Sequence, residues 1–284
     1  MTIEPFSIHP MHNVLHKIET IKSIFLNSQA FYEMNNDINM FLEFLENIEP
    51  EFRSIGYEAA SMVIALSDLN NYKNLKAFLL FAKGPALAHA AQVHVGLGWA
   101  IAKMKLPFLP VVEKIDDQFY YRIADGCGYY DGFFRNRHAV INQQLPVYMP
   151  IESMHFYYQG IGRSLWYSCN AEIEKVRSNI EIFPADLHAD LWRGVGIAVA
   201  YVGGCDADTL KIIFEFAKLH QEQLTNGAAL AARSRMEAGT ITSDTTLCSQ
   251  LWFKLCCEAN IISLDSTAAD TEDVYLNWIS KTEN

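Results

Sequence analysis

Leu75–Lys83 reads LKAFLLFAK, and Leu210–Lys218, 135 residues later, reads LKIIFEFAK. Both are amphipathic runs of helical character. The match continues on either side. Ile48-Glu49-Pro50 corresponds to Ile182-Phe183-Pro184, Tyr57-Glu58 to Trp192-Arg193, and Ala65 to Ala200. Beyond a four-residue gap, Gln92, Gly96 and Ala100 correspond to Gln223, Gly227 and Ala231. A unit repeated in this way predicts two related helical bundles, each covering the apolar face of the other. Residues 1–145 then form an N-terminal half and residues 146–284 a C-terminal half of one compact unit. The seam between them is the natural place for a pocket. Chance agreement between amphipathic helices is the alternative.

The rest of the chain reads the same way. Val14, Leu15, Ile18, Ile21 and Phe25 share one helix face. Asp37 is placed to cap a helix carrying Phe41 and Leu45, and Pro50 to start a longer one. Asn170 is read as the cap of a helix through Ile173, Val176 and Ile180. Pro184 opens the next, which Gly203-Gly204 closes. Asp206 or Asp208 begins a helix reaching about Met236, with Gly239 as its stop, and Thr242-Ser243-Asp244 caps a last one through Trp252. Period-two alternation is confined to Leu109–Val112 and Gln118–Ile123, the two strands of one small hairpin. The expectation is an all-α protein of roughly ten to twelve helices.

Composition narrows the function. Lysine plus arginine number 22 and aspartate plus glutamate 33 among 284 residues, a formal charge of −11. With half the residues apolar and 19% charged, the chain has enough apolar surface to build a core. The acidic balance argues against a nucleic-acid partner, which needs a basic surface. The start, MTIEPFSIHPMH, shows neither a cationic segment nor an apolar core of a signal peptide. Cys127, Cys169, Cys205, Cys248, Cys256 and Cys257 form no C-x-x-C pair and read as reduced thiols of a cytosolic protein. Gly84–Ala102 carries no formal charge and nears spanning length. Pro85, His89, Gln92 and His94 interrupt it, so it reads as a buried helix and no membrane span is expected.

Three segments combine glycine, aromatic and charged residues. Ala124–His138 (ADGCGYYDGFFRNRH) offers Asp125 and Asp131, a pair suited to acid–base work, or else two Asp-Gly turns at the surface. Tyr157–Tyr167 (YYQGIGRSLWY) offers Arg163 as an anion holder beside Gly160 and Gly162, or else a tight helix contact. Asp186–Gly204 (DLHADLWRGVGIAVAYVGG) sets Asp186, Asp190 and Arg193 on one helix face, as a structural ion pair or part of a polar site. His9, His12 and His16 sit at the chain's start and are not expected to hold a metal. No phosphate-loop, zincin or nucleophile-elbow motif is present.

These segments, in this order, resemble the UnbL-like domain of unknown function encoded in enediyne biosynthetic gene clusters. The resemblance runs from about Phe52 to about Phe253 through GYEAA (Gly56–Ala60), VGLGWAIAK (Val95–Lys103), DGCGYYDGFF (Asp125–Phe134), QGIGRSLW (Gln159–Trp166), ADLWRGVGIAVAYVGG (Ala189–Gly204) and NGAALAARSRMEAG (Asn226–Gly239). It implies a role beside an iterative polyketide synthase that makes a long conjugated polyene. Against the family pattern, Tyr130 stands for a histidine, Tyr158 for an aspartate and Asp244 for a histidine. If those groups carry chemistry in relatives, this chain has altered chemistry or none, and its product is a polyene, terpenoid or other lipid-like molecule.

The expected function is therefore secondary-metabolite biosynthesis on a long apolar polyene-like or polyketide/terpenoid-like molecule, by a cyclase- or isomerase-like step. Asp125, Asp131, Arg163, Asp190 and Arg193 are the candidate catalytic residues. Glu58, His94, Tyr130, Gln159, Trp166, Trp192 and Asn226 are the candidates for substrate contact. No cofactor or metal is expected. The alternative is a non-catalytic helical partner that binds a polyketide synthase or shields a reactive intermediate.

Overall fold

The structure, a computed structural model, describes residues 12–35, 37–72 and 74–262 together with Tyr275 and Ile279. Its described residues form thirteen α-helices and no strand. In chain order they are α1 (His12–Asn35), α2 (Ile38–Glu46), α3 (Pro50–Ser67), α4 (Lys76–Lys83), α5 (Ala90–Met104), α6 (Phe108–Val112), α7 (Tyr120–Phe134), α8 (Met154–Ser168), α9 (Ile173–Glu181), α10 (His188–Val202), α11 (Ala207–Ala217), α12 (Gln221–Glu237) and α13 (Ser243–Glu258).

Six of these, α3, α5, α7, α8, α10 and α12, form a continuous series in which each packs on the next. Shorter elements return the chain between them, α4, α6, α9 and α11 among these. The six run in one direction. Between α5 and α7, Cys127 Sγ reaches Gly98 O and, further along both, Arg135 Nη2 donates to Lys103 O. Between α10 and α12, Gly196 rests on Leu224, and further along Arg235 donates to Tyr201 O.

Small residues set the register. Each of four helices carries G-x-G: Gly96 and Gly98, Gly126 and Gly128, Gly160 and Gly162, Gly194 and Gly196. Gly96 lies on Glu58 O, Gly126 on Val95 O, Gly160 on Asp125 O, Gly194 on Gln159 O and Gly227 on Arg193 O. In return, Gly98 lies on Ile123 O, Gly128 on Tyr157 O, Gly162 on Leu191 O and Gly196 on Leu224 O. A Cβ at any of these positions would overlap a neighbouring backbone carbonyl. Glycine is therefore required for close approach, and its poor helix propensity is the cost of the contact.

This register makes Glu58, Val95, Asp125, Gln159, Arg193 and Asn226 equivalent positions on the six helices. The repeat legible in the sequence is a four-helix step within the series. Glu58 corresponds to Arg193 and Gly96 to Gly227. The α7–α8 contact spans the connection that contains residues 145 and 146, and one apolar core runs from Val14 to Cys256.

Arg235, 1% exposed, ties the ends of the series together. It donates to Glu51 O at 2.9 Å, Thr240 O at 3.0 Å and Tyr201 O at 2.6 Å, and its guanidinium stacks 4.1 Å from the Tyr201 ring. The last turns of α10 and α12 thus meet the first turn of α3. On the outside, Lys17 of α1 pairs with Glu51 and, at 3.1 Å, with Asp244.

Many local signals act as read. Asp37 caps α2, Pro50 starts α3, Gly203 with φ 71° ends α10, Asp206 caps α11 and Thr242 caps α13. Others are corrected. The expected hairpin is helical. Pro110 of Leu109–Val112 lies in the first turn of α6, where its missing N–H is not needed. Gln118–Ile123 begins in a 3-10 turn capped by Asp116 and continues into α7. Asn170 does not cap α9. With φ 52°, beside Ala171 at 60°, it ends α8 in a left-handed turn where Ala171 N donates to Trp166 O at 2.9 Å. The single helix expected up to Met236 breaks at Lys218, φ 49°, giving α11 and α12. Asp125-Gly126 and Asp131-Gly132 are not turns but lie inside α7, because their glycines serve the contacts with α5 and α8.

Candidate active site in the helix interior

The equivalent positions project one helix face inward. Reading four and eight residues on from each gives Trp99 on α5, Tyr129 and Phe133 on α7, Arg163 and Tyr167 on α8, and Tyr201 on α10. With Glu58, these side chains line a cavity of about 180 Å³. Ile21, Phe25 and Leu26 of α1 and Ile55 of α3 complete its apolar wall. Leu26 and Phe134, both lining and both largely exposed, mark the mouth, with Lys22 beside them.

The aromatic wall is interlocked. Trp99 meets Phe25 at 4.7 Å and Tyr129 edge-on at 4.8 Å, and Tyr129 lies 5.5 Å from Tyr167. At one side stands a polar group. Arg163 forms an ion pair with Asp125, whose other oxygen accepts from Gln159 Nε2 at 2.8 Å. The guanidinium lies 4.8 Å over the Tyr129 ring. Burial opposes the charge on Arg163, but Asp125 and Glu58 outweigh it and raise its pKa further. The Nε–H of Arg163 and the indole N–H of Trp99 find no hydrogen-bond partner.

Glu58 differs from the other acids of the interior. It lines the cavity, is 2% exposed, and its carboxyl makes no hydrogen bond or ion pair among the described residues. Burial pushes its carboxyl up to about 7, against the pull of Arg163, and the charge of Asp125 adds to the rise.

Of the residues singled out from the sequence, Glu58, Asp125, Gln159 and Arg163 come together here. Asp131 lies apart, accepting from Tyr148 OH at 2.6 Å, Tyr157 OH at 2.9 Å and Arg135 Nη1 at 2.8 Å. Asp190 and Arg193 pair at 3.1 Å near the start of α10, with His155 Nδ1 2.7 Å from the same carboxylate. His94 is stacked on Phe119 at 3.8 Å with Nδ1 on Ala90 O, and burial lowers its pKa to about 4. Tyr130 packs beside Trp99, Phe134 and Arg135, outside the cavity lining. Trp166 and Trp192 are buried in the packing, and half-buried Asn226 is not part of the lining.

Sequence reasoning missed Trp99, Tyr129, Tyr167 and Tyr201. The signal that finds them is the i+4 and i+8 continuation from each small-residue contact. His9 lies outside the described residues. Among the described residues no three His, Cys, Asp or Glu side chains converge as a metal site, and no helix is long and apolar enough to cross a membrane. All six cysteines are free thiols. A more open groove of about 600 Å³ at the ends of α7 and α8 is lined by polar side chains such as Ser168, Asn170 and Asn179, with none of the candidates.

The described residues form an all-α protein with an aromatic-walled interior cavity beside buried charge. The chain belongs to a family of proteins of unknown function, DUF1702, whose model matches residues 7–280. No curated protein and no solved structure matches it.

Proposed function

We propose that the protein binds one end of a long apolar molecule, polyene-like or polyketide/terpenoid-like, and carries out a tailoring step on it in secondary-metabolite biosynthesis. The observation that carries this reading is the aromatic cavity with Glu58 and the Asp125–Arg163 pair on its wall. Apolar lining with a few placed polar groups is the usual make-up of a small-molecule site. The size refines the reading. Dedicated ligand pockets run from about 300 Å³, and about 150 Å³ suffices for a benzene-sized guest. The cavity of about 180 Å³ therefore takes a ring or short chain end, and the remainder leaves through the mouth at Leu26 and Phe134. A pathway built on an iterative polyketide synthase, implied by the resemblance to enediyne-cluster proteins, would supply such a chain.

Titration with a conjugated octadecatetraenoic acid, fluorescent when sequestered, tests the reading. Saturable binding is expected, weakened roughly tenfold or more by Ile55→Phe, which fills the cavity (about 1.4 kcal/mol or more). Absence of binding, or binding indifferent to that substitution, contradicts it.

A specific feature favours a second reading, a non-catalytic partner of a synthase. Ile141, Leu145, Val147 and Ile151 are all exposed around the connection between α7 and α8. Co-purification with a synthase that is lost on Val147→Asp, with pathway output unchanged by Arg163→Ala, would support this second reading.

A further inference from the structure

We infer that Glu58 is the proton-transfer residue of the cavity and that it serves the migration of a carbon–carbon double bond along a conjugated apolar chain. The inference rests on the cavity reading above. Among the described residues five acidic side chains are buried: Glu58, Asp68, Asp125, Asp131 and Asp190. Four are held by donors. Asp68 accepts from Phe78 N at 2.9 Å, Asp125 from Gln159 and Arg163, Asp131 from Arg135, Tyr148 and Tyr157, and Asp190 from Arg193 and His155. Glu58 alone has none, and it alone lines the apolar cavity. An ionised carboxylate in such a place is heavily penalised, so the group favours its neutral, proton-carrying form.

The surroundings suit what donation would create. When the Glu58 O–H bond breaks, the proton adds to a terminal carbon of the conjugated chain, and a π pair becomes the new C–H bond. This leaves an allylic cation and a Glu58 carboxylate. The cation is stabilised by the rings of Trp99 and Tyr167 in the cavity lining and by the carboxylate itself. The positive charge of Arg163 opposes a cation here, and its ion pair with Asp125 offsets part of that opposition. The carboxylate then removes a proton from a carbon further along, and that C–H pair becomes the new double bond. Glu58 ends protonated, the substrate ends as an isomer, and no oxidant, reductant or second reactant is consumed.

The test incubates the full chain with the conjugated octadecatetraenoic acid in D2O and counts carbon-bound deuterium in the recovered lipid. Wild type is expected to add carbon-bound deuterium and to return a positional isomer in which the conjugated tetraene has moved along the chain. Glu58→Gln should bind within about twofold of wild type yet label roughly a hundredfold more slowly, the usual contribution of a general acid–base group. Glu58→Asp, which keeps the acid one methylene further back, should recover part of the rate. Binding without deuterium in wild type, or full labelling by Glu58→Gln, overturns the role of Glu58 and leaves the cavity reading intact. No binding by wild type overturns both. If Glu58→Gln does not fold, the wild-type pH profile decides. Labelling that falls as pH rises through about 7 supports donation by Glu58, and a flat profile overturns it.

Discussion

Glu58 carries a cost that varies with pH, and the sign of that variation can be measured. Its carboxyl rises from an ordinary 4.5 in the unfolded chain to about 7 in the fold. Below pH 4.5 both states are protonated and nothing is lost. As pH rises from 4.5 to about 7 the folded state loses about 3 kcal/mol relative to an uncharged side chain, and above 7 the loss stays constant. His89, stacked on Tyr57 at 4.1 Å, and His94 act in the opposite sense. Burial lowers both to about 4, so stability is present above about 6.5 and is lost as pH falls toward 4. Glu58→Gln should therefore be more stable than wild type by about 3 kcal/mol at pH 8, equal to it near pH 4, and steeper between 4.5 and 6.5. Urea unfolding at these pH values checks this, and a variant no more stable than wild type at pH 8 contradicts it. At this scale the sequence was partly legible. Asp125 and Arg163 stood out beside glycines, Glu58 as the counterpart of Arg193 in the repeat, and Gln159 within QGIGRSLW. Trp99, Tyr129 and Tyr167 did not, because an aromatic residue on a helix looks the same whether it faces a cavity or a neighbouring helix.

The elements are governed by contacts that oppose local preference. Alanine is a better helix former than glycine by about 1 kcal/mol, so Gly160→Ala would stabilise α8 in isolation. In the protein its Cβ would meet Asp125 O and Tyr129 N, both backbone atoms that cannot swing aside. Gly160→Ala should cost at least about 1–3 kcal/mol in chemical denaturation, and separation of α7 from α8 should disturb the Asp125–Arg163 pair. A neutral or stabilising substitution contradicts the register. The same conflict explains what misled the reading of Asp125-Gly126 and Asp131-Gly132. Turn chemistry is a local signal, while the need for a bare Cα against Val95 or Ser164 exists only once the helices meet. Caps such as Asp37, Asp206 and Thr242 were legible because their partner N–H groups lie two or three residues away. The break at Lys218 carries no glycine or proline, so nothing local announced it.

For the whole molecule, the all-α class was legible from periodicity, and the repeat was legible at the spacing where its copies are most alike. The finer series was hidden because Ala59 and Ser61 stand in α3 where other helices have glycine, and Ala229 stands in α12. Closure through Arg235 joins residues far apart in the chain and could not be read locally. Together these features place the inner faces of five helices, with α1 over them, around one hollow. The most direct test of that account is hydrogen–deuterium exchange with and without the conjugated octadecatetraenoic acid. Exchange is expected to slow in α1 around Ile21–Leu26 and in α7 around residues 129–134, with the segment at residues 141–151 unchanged. Protection confined to residues 141–151, or none despite binding, would contradict it.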